Sequence, residues 1–191
     1  MELNNTNGVE IIKYTVLGAL SYFIAGLVEG IVLLRYEAML SFPAEGIIGG
    51  LIFGFFLVKH FNVVRTVLAS LAAIVIGLFV GAFIGLLIFD GYFVSSLVSG
   101  FLVGGIFGLV MGARSKSIQF AIIAAVVFAL GDLITSYVFT WEGGFHGFIT
   151  EVTGDVGYIV TVVALTALYH GVAIGLGTGL YLKRLKGKGE E

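Results

Sequence analysis

The chain has 191 residues, of which 59% are hydrophobic and 12% charged, with a formal net charge of −2 and a mean hydropathy of +1.10. Ordinary soluble domains carry about 25% charged residues, so this composition excludes a soluble globular fold and indicates a membrane protein. There is no cysteine, which excludes disulfides and thiolate metal or redox centres. We expect membrane lipid to surround the chain, and we expect no nucleic-acid partner.

Six apolar segments follow one another along the chain, each near the ~20 residues that a helix needs to cross the hydrocarbon of a bilayer. They predict an all-α integral membrane protein with six transmembrane helices in one polytopic domain. The predicted spans are 11–34, 44–60, 64–89, 92–113, 117–140 and 156–182, and a charged tail follows at 183–191. The second span has the shortest apolar stretch, although Ser41 and Pro43 favour a helix start there. A tilted or partly interfacial helix is the alternative for this segment.

The charged residues predict how these spans are oriented. Of the 10 lysines and arginines, all except Arg35 fall on one side of a six-span arrangement. They are Lys13, Lys59, Arg65, Arg114, Lys116, Lys183, Arg184, Lys186 and Lys188. The opposite side collects the acids Glu37, Glu45, Asp90, Glu142, Glu151 and Asp155. Because cytoplasmic loops are enriched in lysine and arginine, both termini are predicted to lie on the cytoplasmic side of the cell membrane.

Glycine recurs at every fourth position in several spans. The helix-packing series are Gly46, Gly50 and Gly54; Gly77, Gly81 and Gly85; Gly100, Gly104 and Gly108; and Gly171, Gly175 and Gly179. This GxxxG spacing places glycines on one stripe of a helix, where neighbouring backbones can approach closely. The series in spans two, four and six each precede a basic residue, which predicts three weakly repeated helical hairpins. We expect packing within one bundle; homo-oligomerisation through a leftover face and a glycine-lined pore are the alternatives.

Three ionisable residues are predicted to lie inside the hydrocarbon, namely Glu29, Asp132 and His170. A charged side chain at that depth costs a few kcal/mol unless it is paired, hydrated or neutralised. These residues are therefore the candidate substrate-binding groups. The structural alternative is that one carboxylate pairs with His170 and fastens two helices together.

Tyrosine hydroxyls at similar depths add Tyr22, Tyr137 and Tyr169 to the candidate site. An apolar pocket with a few converging polar groups is typical of small-molecule sites. Glu45 and Asp90, near the outer helix ends, are interpreted as interfacial charges. Carboxylate and imidazole ligands also suit zinc and similar ions, but the spacing gives no metal signature and nominates no cofactor.

The segment Gly104-Gly105-Ile106-Phe107-Gly108, together with His170 and Gly175, is similar to the serine and histidine helices of rhomboid intramembrane proteases. That family carries its serine at the position before the first of these glycines, which here is Val103. Without a hydroxyl there is no nucleophile to activate, and Ser99 lies a helical turn away. We interpret the likeness as shared helix packing and expect no enzymatic activity.

In size, six-span layout and cytoplasmic termini, the chain resembles the substrate-binding components of energy-coupling-factor transporters. The resemblance implies binding of a vitamin or a metal ion and partnership with an ATPase module. It makes small-residue faces such as Ala69-Ala73-Gly77-Gly81-Gly85 candidate docking surfaces for a partner membrane subunit.

We therefore expect a small membrane transporter, or a transporter subunit, that binds a small solute or ion from the outer side near the intramembrane acids. One alternative is a non-catalytic membrane protein that assembles with itself or with a larger membrane complex. An ion channel is the other alternative.

Overall fold

The computed structural model of the chain describes residues 3–35, 38–89, 92–111, 116–140 and 145–187, which form helices and their connections without a strand. The helices are α1 (Leu3–Arg35), α2 (Ala38–Phe56), α3 (Val63–Phe89), α4 (Tyr92–Val110), α5 (Ser117–Thr140) and α6 (Phe145–Gly187). Five apolar stretches are long enough to cross a membrane: Gly8–Arg35, Val63–Gly81, Phe93–Val110, Ser117–Thr135 and Ile149–Leu185. The apolar stretch of α2, Phe42–Phe56, is shorter. The all-helical class is confirmed, and the five long apolar helices are compatible with a multi-pass membrane protein.

The helix bounds follow the predicted segments in α3, α4 and α5 and depart from them elsewhere. Helix α2 begins at Ala38, so Pro43 lies inside the helix and not at its start. Helix α6 begins at Phe145 and continues to Gly187, so the first part of the predicted charged tail is helical. It bends at Gly154, where φ is 71° and ψ is 179°. That backbone conformation is open almost only to glycine, which explains why the bend falls there.

The helices pack in chain order into a closed ring. The main contacts of each helix are with the helices before and after it, and α6 packs extensively against α1. Helices α1 and α6 run in opposite directions along this contact, since Gly179 lies against Ile11 while Gly30 lies against Val160. Both described ends of the chain therefore lie at the same end of the ring.

The predicted glycine stripes lie at these helix contacts. A Cβ placed on Gly46 would sit 2.8 Å from the Leu71 Cα of α3, and one on Gly100 would sit 2.5 Å from the Ala124 carbonyl oxygen of α5. The same holds for Gly50 and Gly54 against α3, Gly77 and Gly81 against α4, Gly104 and Gly108 against α5, and Gly171, Gly175 and Gly179 against α1. The surroundings of Gly85 lie outside the described part of the chain. Each of the other glycines in these series faces a neighbouring helix of the same ring.

The outer surface of the ring is apolar. Large hydrophobic side chains such as Phe55, Phe83 and Ile134 are more than 60% exposed. Several threonine and serine hydroxyls within the helices donate to the backbone of their own helix, as in Thr15, whose Oγ1 donates to the Ile11 carbonyl oxygen at 2.8 Å. This arrangement suits a hydrocarbon solvent, because lipid accepts apolar side chains but offers polar groups no partner.

Candidate functional site

A partly open cavity of about 540 Å³ lies inside the ring. All six helices contribute to its wall: the C-terminal parts of α1 and α3, the first turns of α2 and α4, and the middle of α5 and α6. The cavity therefore occupies the half of the ring away from the two ends of the chain. The cavity therefore brings together residues that are far apart in sequence.

A buried contact between the side chains of Glu45 and His170 joins α2 to α6 in the cavity wall. The His170 Nδ1 and the Glu45 Oε1 are 2.8 Å apart, and the two side chains are only 4% and 2% exposed. The interpretation of Glu45 as an interfacial charge is therefore wrong. Because α2 begins at Ala38, Glu45 lies two turns inside the helix. The acid in contact with His170 is thus Glu45, which was predicted from the sequence to lie at the membrane surface.

Of the two acids predicted to bind substrate, the structure describes the side chain of Glu29 but not that of Asp132. Glu29 lines the same cavity as His170 and is 5% exposed. Two of the three predicted ionisable residues are therefore brought to one site. The backbone of Asp132 lies in α5, but its side chain lies outside the described part of the structure, so its role stays a prediction.

The three predicted tyrosines do not share one location. Tyr169 lines the cavity, and its ring meets those of Phe128 and His170 edge to face, with centroid distances of 5.6 Å and 5.0 Å. Tyr22 is fully buried outside the cavity wall, where its hydroxyl hydrogen-bonds to the Ser70 Oγ at 2.5 Å. The side chain of Tyr137 is not among those that the structure describes. Of the two predicted tyrosines whose side chains the structure describes, Tyr169 is therefore the one that lines the cavity.

Sequence reasoning missed the uncharged polar groups of the wall. Ser95, Ser96 and Ser99 of α4 and Thr166 of α6 all line the cavity. The three serines fall within one helical turn of an otherwise apolar span, and this clustering was the available signal. The predicted site contained only acids, a histidine and tyrosines, so these serines were not included.

The predicted docking face on α3 is covered within the molecule. Ala69 and Ala73 are fully buried, while Gly77 and Gly81 pack against Val103 and Ser99 of α4. These four residues therefore offer no free surface in this structure, and the rest of the predicted face, at Gly85, lies outside the described side chains. Val103 is buried and packs against Gly77 of α3.

The wall as a whole is apolar, with a small number of polar and ionisable groups. Within the part of the chain that the structure describes, no group of three or more His, Cys, Asp or Glu residues is arranged to hold a metal ion. Comparisons with protein-family models, with curated proteins and with solved structures found no match to this chain. The chemistry of the cavity is therefore the basis of the functional proposal.

Proposed function

We propose that this chain is a multi-pass membrane protein that binds a small solute in the cavity, acting as a transporter or as the solute-binding subunit of one. The observation that carries the proposal is a cavity walled by all six helices, in which Glu29, Glu45 and His170 are buried together. Ionisable groups at membrane depth commonly line substrate and ion pathways. The volume also falls within the ~300–1,000 Å³ typical of ligand pockets.

The cavity is proposed to load from the outer side of the cell membrane. In this arrangement α2 completes six crossings, and both termini are cytoplasmic. Basic side chains gather at the terminal end of the ring: the Arg65 Nε donates to the Val110 carbonyl oxygen at 2.7 Å, and Arg184 donates to the Gln119 Oε1 at 2.6 Å. The positive-inside rule makes that end cytoplasmic, so the cavity lies in the outer half.

A role confined to helix packing accounts less well for the same residues. The Glu45–His170 pair alone could fasten α2 to α6. A second acid, Glu29, is buried in the same wall beside open volume. Ionisable groups around a cavity are expected where a solute must be recognised.

A pair of tryptophan substitutions on α3 tests the proposal. Leu78 lines the cavity, whereas Ile76 is 49% exposed on the outer surface of the ring. Leu78→Trp should fill part of the cavity and abolish solute binding, while Ile76→Trp should leave binding intact. Binding is measured in lipid nanodiscs as the shift of thermal unfolding with a panel of amines, carboxylates, neutral metabolites and metal salts. Identical responses of the two variants and the unmodified protein would contradict a solute site in this cavity.

A further inference from the structure

A second, smaller cavity lies between α5 and α6, at the end of the ring where the chain begins and ends. Its volume is about 250 Å³, and its wall comes from residues 116–123, at the start of α5, and 177–184, near the end of α6. We call it the terminal crevice. Its described wall shares no residue with that of the solute cavity, so the two are separate features of the molecule.

The terminal crevice is basic where it lies nearest the ends of the chain. Lys116 and Arg184 line it there, and no acidic residue lies along its described wall. The Arg184 side chain is tied to the first turn of α5, because its Nη1 donates to the Gln119 Oε1 at 2.6 Å. That bond uses one of the five N–H groups of a guanidinium. Helix N-termini also carry a partial positive charge, so this end of the crevice favours an anion, and a phosphate in particular.

Further into the ring, the wall of the crevice is apolar. Ile122, Ile123 and Leu180 line this part. Ile122 is also 55% exposed, and Val126, one helical turn further along α5, is 51% exposed. The apolar part of the crevice is therefore continuous with the outer surface of α5, and a ligand bound there can extend an apolar chain along that helix.

The order of these groups matches the order of groups in a phospholipid within one leaflet. From Lys116 to Ile123 the chain advances about 10 Å along the helix axis. The headgroup layer on each side of a bilayer is about 5–8 Å thick. Lys116 and Arg184 thus lie at the depth of a lipid phosphate when Ile122 and Ile123 lie at the depth of the first acyl methylenes.

We propose that the terminal crevice binds an anionic phospholipid, with the phosphate at Lys116 and Arg184 and an acyl chain along Ile122 and Val126. A lipid with a net negative charge is favoured over a zwitterionic one, because the described wall offers no acid to a choline or ethanolamine group. The proposal rests on the proposed membrane embedding, but not on solute binding in the larger cavity.

Two phospholipids with identical acyl chains test this assignment on the unmodified full chain. They are phosphatidylglycerol, which is anionic, and phosphatidylcholine, which is zwitterionic. Native mass spectrometry in detergent gives the dissociation constant of the first bound lipid of each kind. Phosphatidylglycerol should bind about fivefold more tightly or better, which is the effect expected of one lysine or arginine near a membrane surface.

Charge-removing variants then locate the site. Arg184→Gln and Lys116→Gln should each weaken phosphatidylglycerol binding about fivefold and leave phosphatidylcholine binding nearly unchanged. The matched control is Lys183→Gln, because Lys183 is an exposed lysine beside Arg184 that lies outside the crevice wall. It should leave the binding of both lipids nearly unchanged. Equal losses in all three variants would show a diffuse attraction to basic surface and would overturn the site.

Inorganic phosphate distinguishes a lipid from a soluble phosphate compound. In large excess it should not displace phosphatidylglycerol from the unmodified protein, since it has no acyl chain to bury along α5. Displacement would assign the crevice to a soluble phosphate compound and overturn the lipid. Equal affinities for phosphatidylglycerol and phosphatidylcholine would overturn it as well.

The comparison of two lipids and the competition with phosphate need no substitution, so they decide the assignment even if a glutamine variant does not fold. The solute site is judged separately, by the Leu78→Trp and Ile76→Trp pair. Both of these residues lie outside the described wall of the terminal crevice, so failure of one proposal leaves the other in place.

Discussion

At the scale of single residues, the Glu45–His170 pair shows what local sequence can and cannot reveal. His170 lies in the middle of a long apolar run, so its burial could be predicted from that run alone. Glu45 follows Pro43 by two residues, and a proline near the start of an apolar run is typical of the first turn of a helix. Local sequence therefore places Glu45 at the start of the helix. Helix α2 instead begins at Ala38, and Glu45 meets a histidine 125 positions away in the sequence, which no local pattern encodes.

Breaking this pair should destabilise the fold. Glu45→Gln and His170→Gln should each lower the free energy of unfolding, because the remaining partner is left buried without the hydrogen bond it makes in the unmodified protein. In a double-mutant cycle, the double substitution should destabilise the fold by about 1–2 kcal/mol less than the sum of the two single substitutions. The reason is that the second substitution removes a contact that the first has already broken. The quantity to measure is the free energy of unfolding in nanodiscs by steric trapping.

The exposed pair His60→Gln and Glu151→Gln is the matched control, and its effects should add. Additive effects of Glu45→Gln and His170→Gln would contradict an energetic link between α2 and α6 through these side chains.

At the scale of helices, the glycine series were predicted to pack, but which helix each stripe meets could not be predicted from spacing. The spacing shows only that glycines share a face. In the structure the stripes of α2, α4 and α6 meet α3, α5 and α1 respectively. The described glycines of these stripes therefore make contacts within one molecule.

Two adjacent glycines in α4 provide a direct test of this packing. A Cβ on Gly104 would meet the Phe120 carbonyl and would sit 2.7 Å from the Ala124 Cβ, whereas one on Gly105 would sit 3.6 Å from the Ala121 Cβ. Gly104→Ala should therefore lower the free energy of unfolding by about 1–3 kcal/mol through overpacking. Gly105→Ala should be neutral or stabilising by up to about 1 kcal/mol, since alanine favours helix.

The two alanine variants are compared by thermal unfolding, and their particle masses are compared by native mass measurement. Equal stabilities would show that the stripe of α4 is not a tight contact with α5. A change of oligomer mass on Gly104→Ala with unchanged stability would favour assembly of copies through this face.

At the scale of the whole molecule, the apolar runs predicted the helices, but not the ring. Closure of α6 onto α1 joins the two ends of the chain, and hydropathy carries no information about contacts over that distance. The cavity exists only because of that closure, since its wall combines Glu29, Glu45 and His170 from three helices. The kink at Gly154 could not be predicted from the lengths of the apolar runs either.

The proposed orientation can be tested by labelling single cysteines, because the chain contains no native cysteine. His60 is exposed between α2 and α3, and Glu151 is exposed on α6 just before the kink. In intact cells a membrane-impermeant maleimide should label Glu151→Cys but should label His60→Cys only after permeabilisation. Labelling of His60→Cys in intact cells would reverse the orientation and open the cavity toward the cytoplasm.

The central claim is that the ring holds a solute beside Glu29, Glu45 and His170. It is tested most directly by an experimental structure of the protein in nanodiscs, determined with and without a solute that shifts its thermal unfolding. Ordered non-protein density should appear in the cavity beside these three side chains when the solute is present, and it should be lost in Leu78→Trp. A cavity filled by its own side chains, or by lipid chains in every sample, would contradict this claim.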